Sequence, residues 1–231
     1  MSQSDWAYLS NDLIYVALAL YALSFLSYTY ETAFSLRANK ISGDKHLDRS
    51  ITTKSRKVAS IVFLLATASL TLAVIARGIS AERIPLGNMY EYSITGAMTF
   101  ALAYLIIGLK FDLSWLGLPS SILILLILGT AITLLYRPSA PLVPALQSSW
   151  LVIHVSSAIL SGGIFLLSNT VAGAYLWLDR IERKGVRGEF AKRFPSLESL
   201  DQLSYRLVAF VFPLWTFAVI SGAIWAEAAW G

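Results

Sequence analysis

The chain has no cysteine among its 231 residues. Structural disulfides, thiolate metal sites and thiol–disulfide chemistry by this chain are therefore excluded. Charge is scarce as well: Asp, Glu, Lys and Arg make up 14% of the residues, against roughly 25% in a typical soluble domain. No basic residue precedes Arg37, so the start lacks the charged n-region of a cleaved signal peptide, and the first apolar block is expected to be a retained helix. Ionisable residues are rare within the apolar blocks, and there is no internal repeat with paired broken helices. Both absences argue against a small-molecule transporter or channel. No recognition motif accompanies the basic charge, which argues against a nucleic-acid partner.

What is present is hydrocarbon in long blocks. Hydrophobic residues make up 56% of the chain, and the mean hydropathy is +0.64. A helix needs about 20 apolar residues to cross a hydrocarbon core of about 30 Å. Six blocks qualify, approximately Leu13 to Tyr30, Val58 to Ala76, Ser93 to Leu109, Leu116 to Tyr136, Leu151 to Leu178 and Leu207 to Trp225. The third is short and is expected to begin near Met89. The fold class expected is all-α, a polytopic integral membrane bundle of about six helices.

The net charge of +4 matters less than its distribution. The segment Thr32 to Lys57 carries Arg37, Lys40, Lys45, Arg49, Lys54, Arg56 and Lys57, and the segment Asp179 to Arg206 is similarly basic. Lys110 marks the connection between the third and fourth spans, whereas the alternate connections hold only Arg77, Arg83 and Arg137. With six spans, every dense cluster falls on one side, as the positive-inside rule requires, and both termini are expected outside. The basic clusters also attract anionic membrane lipid. Ser42-Gly43-Asp44 reads as part of a flexible inner loop that separates residues 1–55, one helix and its basic loop, from 56–231. His46 reads as a solvated loop histidine.

Three outer features are candidates for function. Asn88, Tyr90 and Glu91 open the third span; their spacing fits a helix cap, with Asn88 at the N-cap and Glu91 at N3. It also leaves open a role in holding a ligand. A proline-rich stretch leads from Arg137 to Trp150 and His154, which lie four residues apart and so share a helix face. Gly162 and Gly163 lower in that helix permit close helix approach. The last span contains Pro213, expected to bend it, and emerges with Trp225 and Trp230. An imidazole near a tryptophan-rich surface suits axial ligation of haem iron, although interfacial histidine and tryptophan also occur without any ligand.

Taken in order, Gly87-Asn88-Met89-Tyr90-Glu91, then Pro144-Ala145-Leu146-Gln147-Ser148-Ser149-Trp150-Leu151-Val152-Ile153-His154-Val155, then Gly222-Ala223-Ile224-Trp225-Ala226-Glu227-Ala228-Ala229-Trp230-Gly231, resemble the CcsA/ResC cytochrome c assembly proteins. These are the haem-handling subunits of the system II cytochrome c synthase, related to the CcmC and CcmF proteins. The resemblance covers approximately Arg56 to Gly231. It implies that His154 is an axial ligand of haem b carried as transported substrate, that Trp150, Trp225 and Trp230 are cofactor-binding residues, and that Trp225 and Trp230 stand at the entry to the tryptophan-rich segment called the WWD domain. Asn88, Tyr90 and Glu91 match a family motif. Arg77, Arg83 and Arg137, being on the outer side, are candidates for haem propionates, although ordinary interfacial anchoring accounts for each as well. A second axial histidine and the body of the WWD segment would follow Gly231, so the chain reads as truncated at the start of that segment.

The resemblance further implies a CcsB/ResB-type membrane partner, apocytochrome c as acceptor and proteins of a thiol-reducing pathway. The expected role is that of a subunit of a haem-attaching synthase, not a free-standing enzyme. The expected location is the bacterial plasma membrane with the haem site on its outer face, or alternatively the thylakoid membrane. The competing readings are a structural subunit that scaffolds the complex and, less favoured, a small-molecule transporter.

Overall fold

The computed structural model describes residues 1–41, 45–140, 147–185, 188 and 190–230, with the side chains of 34–53 outside the description. Six long helices account for most of it: α1 (Gln3–Ile41), α2 (Lys45–Ala81), α3 (Met89–Gly108), α4 (Gly117–Thr130), α5 (Ser149–Arg183) and α6 (Leu197–Trp230). All six expected spans are present, each long and apolar enough to cross a membrane. The third begins at Met89, as expected. This is a multi-pass membrane protein whose regular structure, among the described residues, is all helical, because a chain immersed in lipid must satisfy its backbone hydrogen bonds internally.

Several helices run well past the bilayer. At 1.5 Å per residue, the 35 residues of α5 reach about 52 Å. The segment expected as a flexible basic loop is helical up to Ile41 and again from Lys45. Its Arg, Lys, Ala and Leu residues are good helix formers, so charge ends the membrane span without ending the helix. Ser42, Gly43 and Asp44 lie outside the described residues, as do the side chains of His46, Arg37, Lys40, Lys45 and Arg49, and all of Pro141, Pro144 and Gly231. Three irregular turns occur among the described residues: a 3₁₀ turn at Ser114–Leu116 leading into α4, a π-helical turn at Ala131–Leu135 ending it, and a 3₁₀ turn at Ala191–Arg193 between α5 and α6. Helix α6 is continuous through Pro213.

The helices pair antiparallel as α1 with α2 and α5 with α6, and α3 joins the two pairs by packing against both α2 and α5. The α1/α2 seam is tied by polar groups in the interior. Ser10 donates to the carbonyl of Ala73 at 2.8 Å and Ser24 to that of Ala59 at 3.1 Å, and the Tyr21 and Thr67 hydroxyls meet at 2.9 Å. Two glycines allow close approach between these helices. The Tyr28 ring lies where a Cβ on Gly117 would stand, 2.4 Å from its Cζ, so α4 presses onto α1. At Gly163, a Cβ would fall 2.7 Å from Thr99 Cγ2 and 3.0 Å from the Phe100 amide, which brings α5 against α3. Of the two glycines expected to serve close approach, Gly163 does so, while Gly162 faces open space.

This pairing yields a test. Gly163→Leu forces α5 away from the backbone of α3, and overpacking of this kind costs about 1–3 kcal/mol. Gly162→Leu meets nothing and gains helix propensity of up to about 1 kcal/mol. Unfolding of the two variants in mixed detergent micelles should show the first destabilised and the second as stable as the wild type or more so.

Candidate functional site

Every feature singled out as outer lies at one end of the bundle, where α2, α4 and α6 end and α3 and α5 begin. Two polar clusters form there. The first is centred on Glu91, whose side chain is 0% exposed. Asn88 caps α3 by accepting from the Glu91 amide at 2.9 Å. The Glu91 carboxylate turns back and accepts from the Gly87 amide at 2.8 Å, one residue outside the usual capping box. Two arginines complete its coordination. Arg77 Nε donates to Oε1 at 3.1 Å, and Arg83 donates to both oxygens, at 2.7 and 3.2 Å. Arg77 also donates to the Arg137 carbonyl at 2.6 Å, and its guanidinium lies 5.2 Å from the centroid of the buried Tyr90 ring.

Arg77 is therefore an interior cation, 1% exposed, with its donors directed at Glu91 and at the α4 terminus. Arg83, 15% exposed, is engaged by the same carboxylate and by the Ala140 carbonyl at 3.2 Å. Both are outer-side candidates for a propionate or for a plain anchoring role; the structure engages them in holding the α2–α3 and α4 ends together. Arg137 differs, since its backbone takes part in the cluster while its side chain is exposed. Asn88, Tyr90 and Glu91 serve this cluster as cap, buried ring and anion.

The second cluster spans the α5/α6 seam. His154 Nδ1 lies 2.7 Å from the Ala218 carbonyl oxygen. A carbonyl can only accept, so the proton resides on Nδ1, and in the neutral ring Nε2 carries the lone pair. A backbone carbonyl bonded to the far ring nitrogen is the usual support for a metal-binding histidine. The imidazole lies flat on α6: a Cβ on Gly222 would be 2.6 Å from both Cε1 and Nδ1. The Trp225 ring is parallel to it within 5°, with centroids 6.5 Å apart, and Trp230 packs edge-on against Trp225 at 5.0 Å. Trp225 Nε1 is a buried donor with no acceptor among the described residues. Trp150 stands one turn before His154, 40% exposed, with its amide bonded to the Ser148 N-cap at 3.2 Å. Thus His154, Trp225 and Trp230 form one chain of rings, with Trp150 on the same face of α5.

A profile of the Cytochrome C assembly protein family matches residues 86–231. The chain belongs to that family. It is similar to the cytochrome c biogenesis protein CcsA of Guillardia theta, at 34% identity over 73% of this chain and 62% of the relative. It is also similar to the CcsA proteins of Porphyra purpurea, at 28% over 76% of this chain and 67% of the relative, and of Prochlorococcus marinus (strain MIT 9303), at 31% over 75% and 64%. The chain thus spans somewhat under two thirds of the length of the CcsA of Guillardia theta. The matched residues include both outer clusters apart from Arg77 and Arg83, which precede them.

In this CcsA-like chain, Gly222 and Ala218 were not singled out from sequence. They are small residues one helical turn apart on α6, and that spacing is the signal for a flat partner lying across a helix. Glu31 was missed too. It is 2% exposed at the opposite end and is paired with Arg56 at 3.1 Å and with Arg193.

Each outer cluster predicts a measurable consequence. Glu91→Ala leaves two arginines facing each other in the interior, and removal of one partner from a buried ion cluster costs about 3–5 kcal/mol; unfolding in mixed micelles measures it. Gly222→Ala places a methyl group where the imidazole lies. His154 is a side chain and can swing aside, so the variant should keep its fold, with stability changed by less than about 1 kcal/mol, but lose the Nδ1–Ala218 bond. Histidine ¹⁵N resonances of the protein in micelles would report that loss directly.

Proposed function

We propose that this chain handles haem as cargo for cytochrome c assembly, with His154 supplying an axial ligand through Nε2. The observation that carries the proposal is the 2.7 Å bond from Nδ1 to the Ala218 carbonyl, which fixes the tautomer and leaves the lone pair on Nε2. Trp225, parallel to the imidazole, and Trp230, edge-on to Trp225, continue the site as an aromatic surface, and the unpaired Trp225 N–H is a donor suited to a carboxylate of the cargo. Arg137, exposed at the same end, is the cation we assign to a propionate.

The reaction served is thioether formation between haem vinyl groups and the two thiols of a Cys-x-x-Cys-His segment in apocytochrome c. The thiols come from that substrate, in accord with the absence of cysteine here. The residues of this chain bind and orient; they hold the macrocycle at one face and restrict its rotation, which is how proximity lowers a barrier. Within such a synthase the chain acts with a CcsB/ResB-type membrane partner and depends on a thiol-reducing pathway. The positive-inside pattern supports an outer location for the His154 end and for both termini. The membrane is the bacterial plasma membrane or, as an alternative, a thylakoid. Residues 56–231 carry the assembly function, and 1–55 supply α1 and part of the basic inner rim.

Absorption titration with haem tests the assignment. The detergent-purified chain should develop the Soret band of imidazole-ligated haem, and His154→Ala should bind at least tenfold more weakly with a shifted band. Identical titrations of the two proteins would remove His154 as a ligand and leave a scaffolding subunit as the better reading.

A further inference from the structure

The carbonyl that holds the imidazole is shared. Ala218 O accepts from His154 Nδ1 at 2.7 Å and also from the Ser221 hydroxyl at 2.9 Å. Ser221 is 1% exposed and Ala218 2%, so the two donors meet this oxygen in the interior of the α5/α6 seam and not in water. The oxygen lies within α6, where carbonyls also serve the helix ladder. Ser221 adjoins Gly222, the seat of the ring, and stands one turn before Trp225.

Donors that converge on one oxygen weaken each other. Each draws electron density from it and leaves a poorer acceptor for the other. This is the reverse of a hydrogen-bonded chain, in which successive bonds polarise and strengthen one another. The bond at Nδ1 does more than orient the ring. As it strengthens, the imidazole gains electron density, and Nε2 becomes a better donor to a metal. Hydrogen bonding behind a ligating histidine is one of the means by which a protein sets metal affinity and haem potential.

We propose that Ser221 is a positioning residue that moderates the hold of His154 on haem iron, its hydroxyl taking a share of the Ala218 carbonyl. The inference rests on His154 as an axial ligand and adds how strongly it ligates. A more electron-rich imidazole stabilises ferric iron over ferrous. The Ser221 hydroxyl therefore keeps the cargo easier to reduce and to release, as a delivery site requires. Ser221 acts only through Ala218.

The test compares the full chain in detergent with Ser221→Ala and Ser221→Thr. Alanine removes the hydroxyl at nearly constant volume and leaves the carbonyl to His154. Threonine returns a hydroxyl able to bond a preceding carbonyl of the helix. Without haem, the His154 Nδ1–H proton resonance (identified by its loss in His154→Ala) should move downfield in Ser221→Ala and return towards the wild-type position in Ser221→Thr. With haem, Ser221→Ala should raise the ratio of ferric to ferrous affinity at least threefold, which at roughly 59 mV per tenfold is a midpoint potential about 28 mV more negative. A serine that only packs would move neither. An Nδ1–H resonance unmoved by Ser221→Ala, an unchanged midpoint beside a moved resonance, or a threonine variant that behaves as the alanine one would overturn the inference. Haem binding that His154→Ala leaves unchanged would instead overturn the reading of His154 as a ligand, and the haem-free resonance keeps the two failures apart.

Discussion

A bilayer offers no hydrogen-bond partner, so each polar group within these helices must find one inside the protein. That constraint organises both ends of the bundle. At one end Glu91 collects two arginines, a loop amide and the cap of α3; at the other Glu31 collects Arg56 and Arg193. Each carboxylate draws together elements distant in sequence: α2, α3 and, through Arg77 and Arg83, the α4 end in the first case; α1, α2 and the α5–α6 connection in the second. A buried ion cluster is weak evidence for net stability, but it specifies which helix ends meet. The helices between are packed by apolar contact and by glycine, which alone admits the Tyr28 ring at Gly117 and the α3 backbone at Gly163.

The same constraint shapes the imidazole site. His154 satisfies its Nδ1 on a backbone carbonyl of the neighbouring helix, and the approach is possible only because Gly222 has no side chain. The outcome is a ring whose orientation, tautomer and neighbouring indole are all set by α6. The two outer clusters divide the work. Glu91 and its arginines fix the rim, while His154 and the tryptophans present a surface to a ligand.

The spans were legible because a hydrophobic block of 17 to 28 residues has few other readings in a chain this apolar. The α3 cap was legible from Asn88 and Glu91, since a cap depends only on local spacing. Two things were not. The basic segment between α1 and α2 reads as a loop by charge, yet its residues favour helix, so hydropathy marked the end of the membrane span and not the end of the helix. The direction of the Arg77 and Arg83 side chains was hidden as well. Position placed them on the outer side, but their partners come from α3, from α4 and from the residues that follow it, which only the packing brings near. His154 could be picked out as an unusual residue, whereas Ala218 and Gly222 became meaningful only once α5 and α6 were seen to pair.

Chemical rescue tests the central claim most directly. His154→Gly removes the imidazole and leaves a space beside Ala218 and Gly222 that free imidazole can occupy; glycine costs the helix about 1 kcal/mol relative to alanine. If His154 ligates iron through Nε2, haem added to this variant should lack the spectrum of the wild-type complex and regain it on addition of millimolar imidazole. A variant that shows the wild-type spectrum without imidazole, or one that imidazole does not restore, would contradict the account.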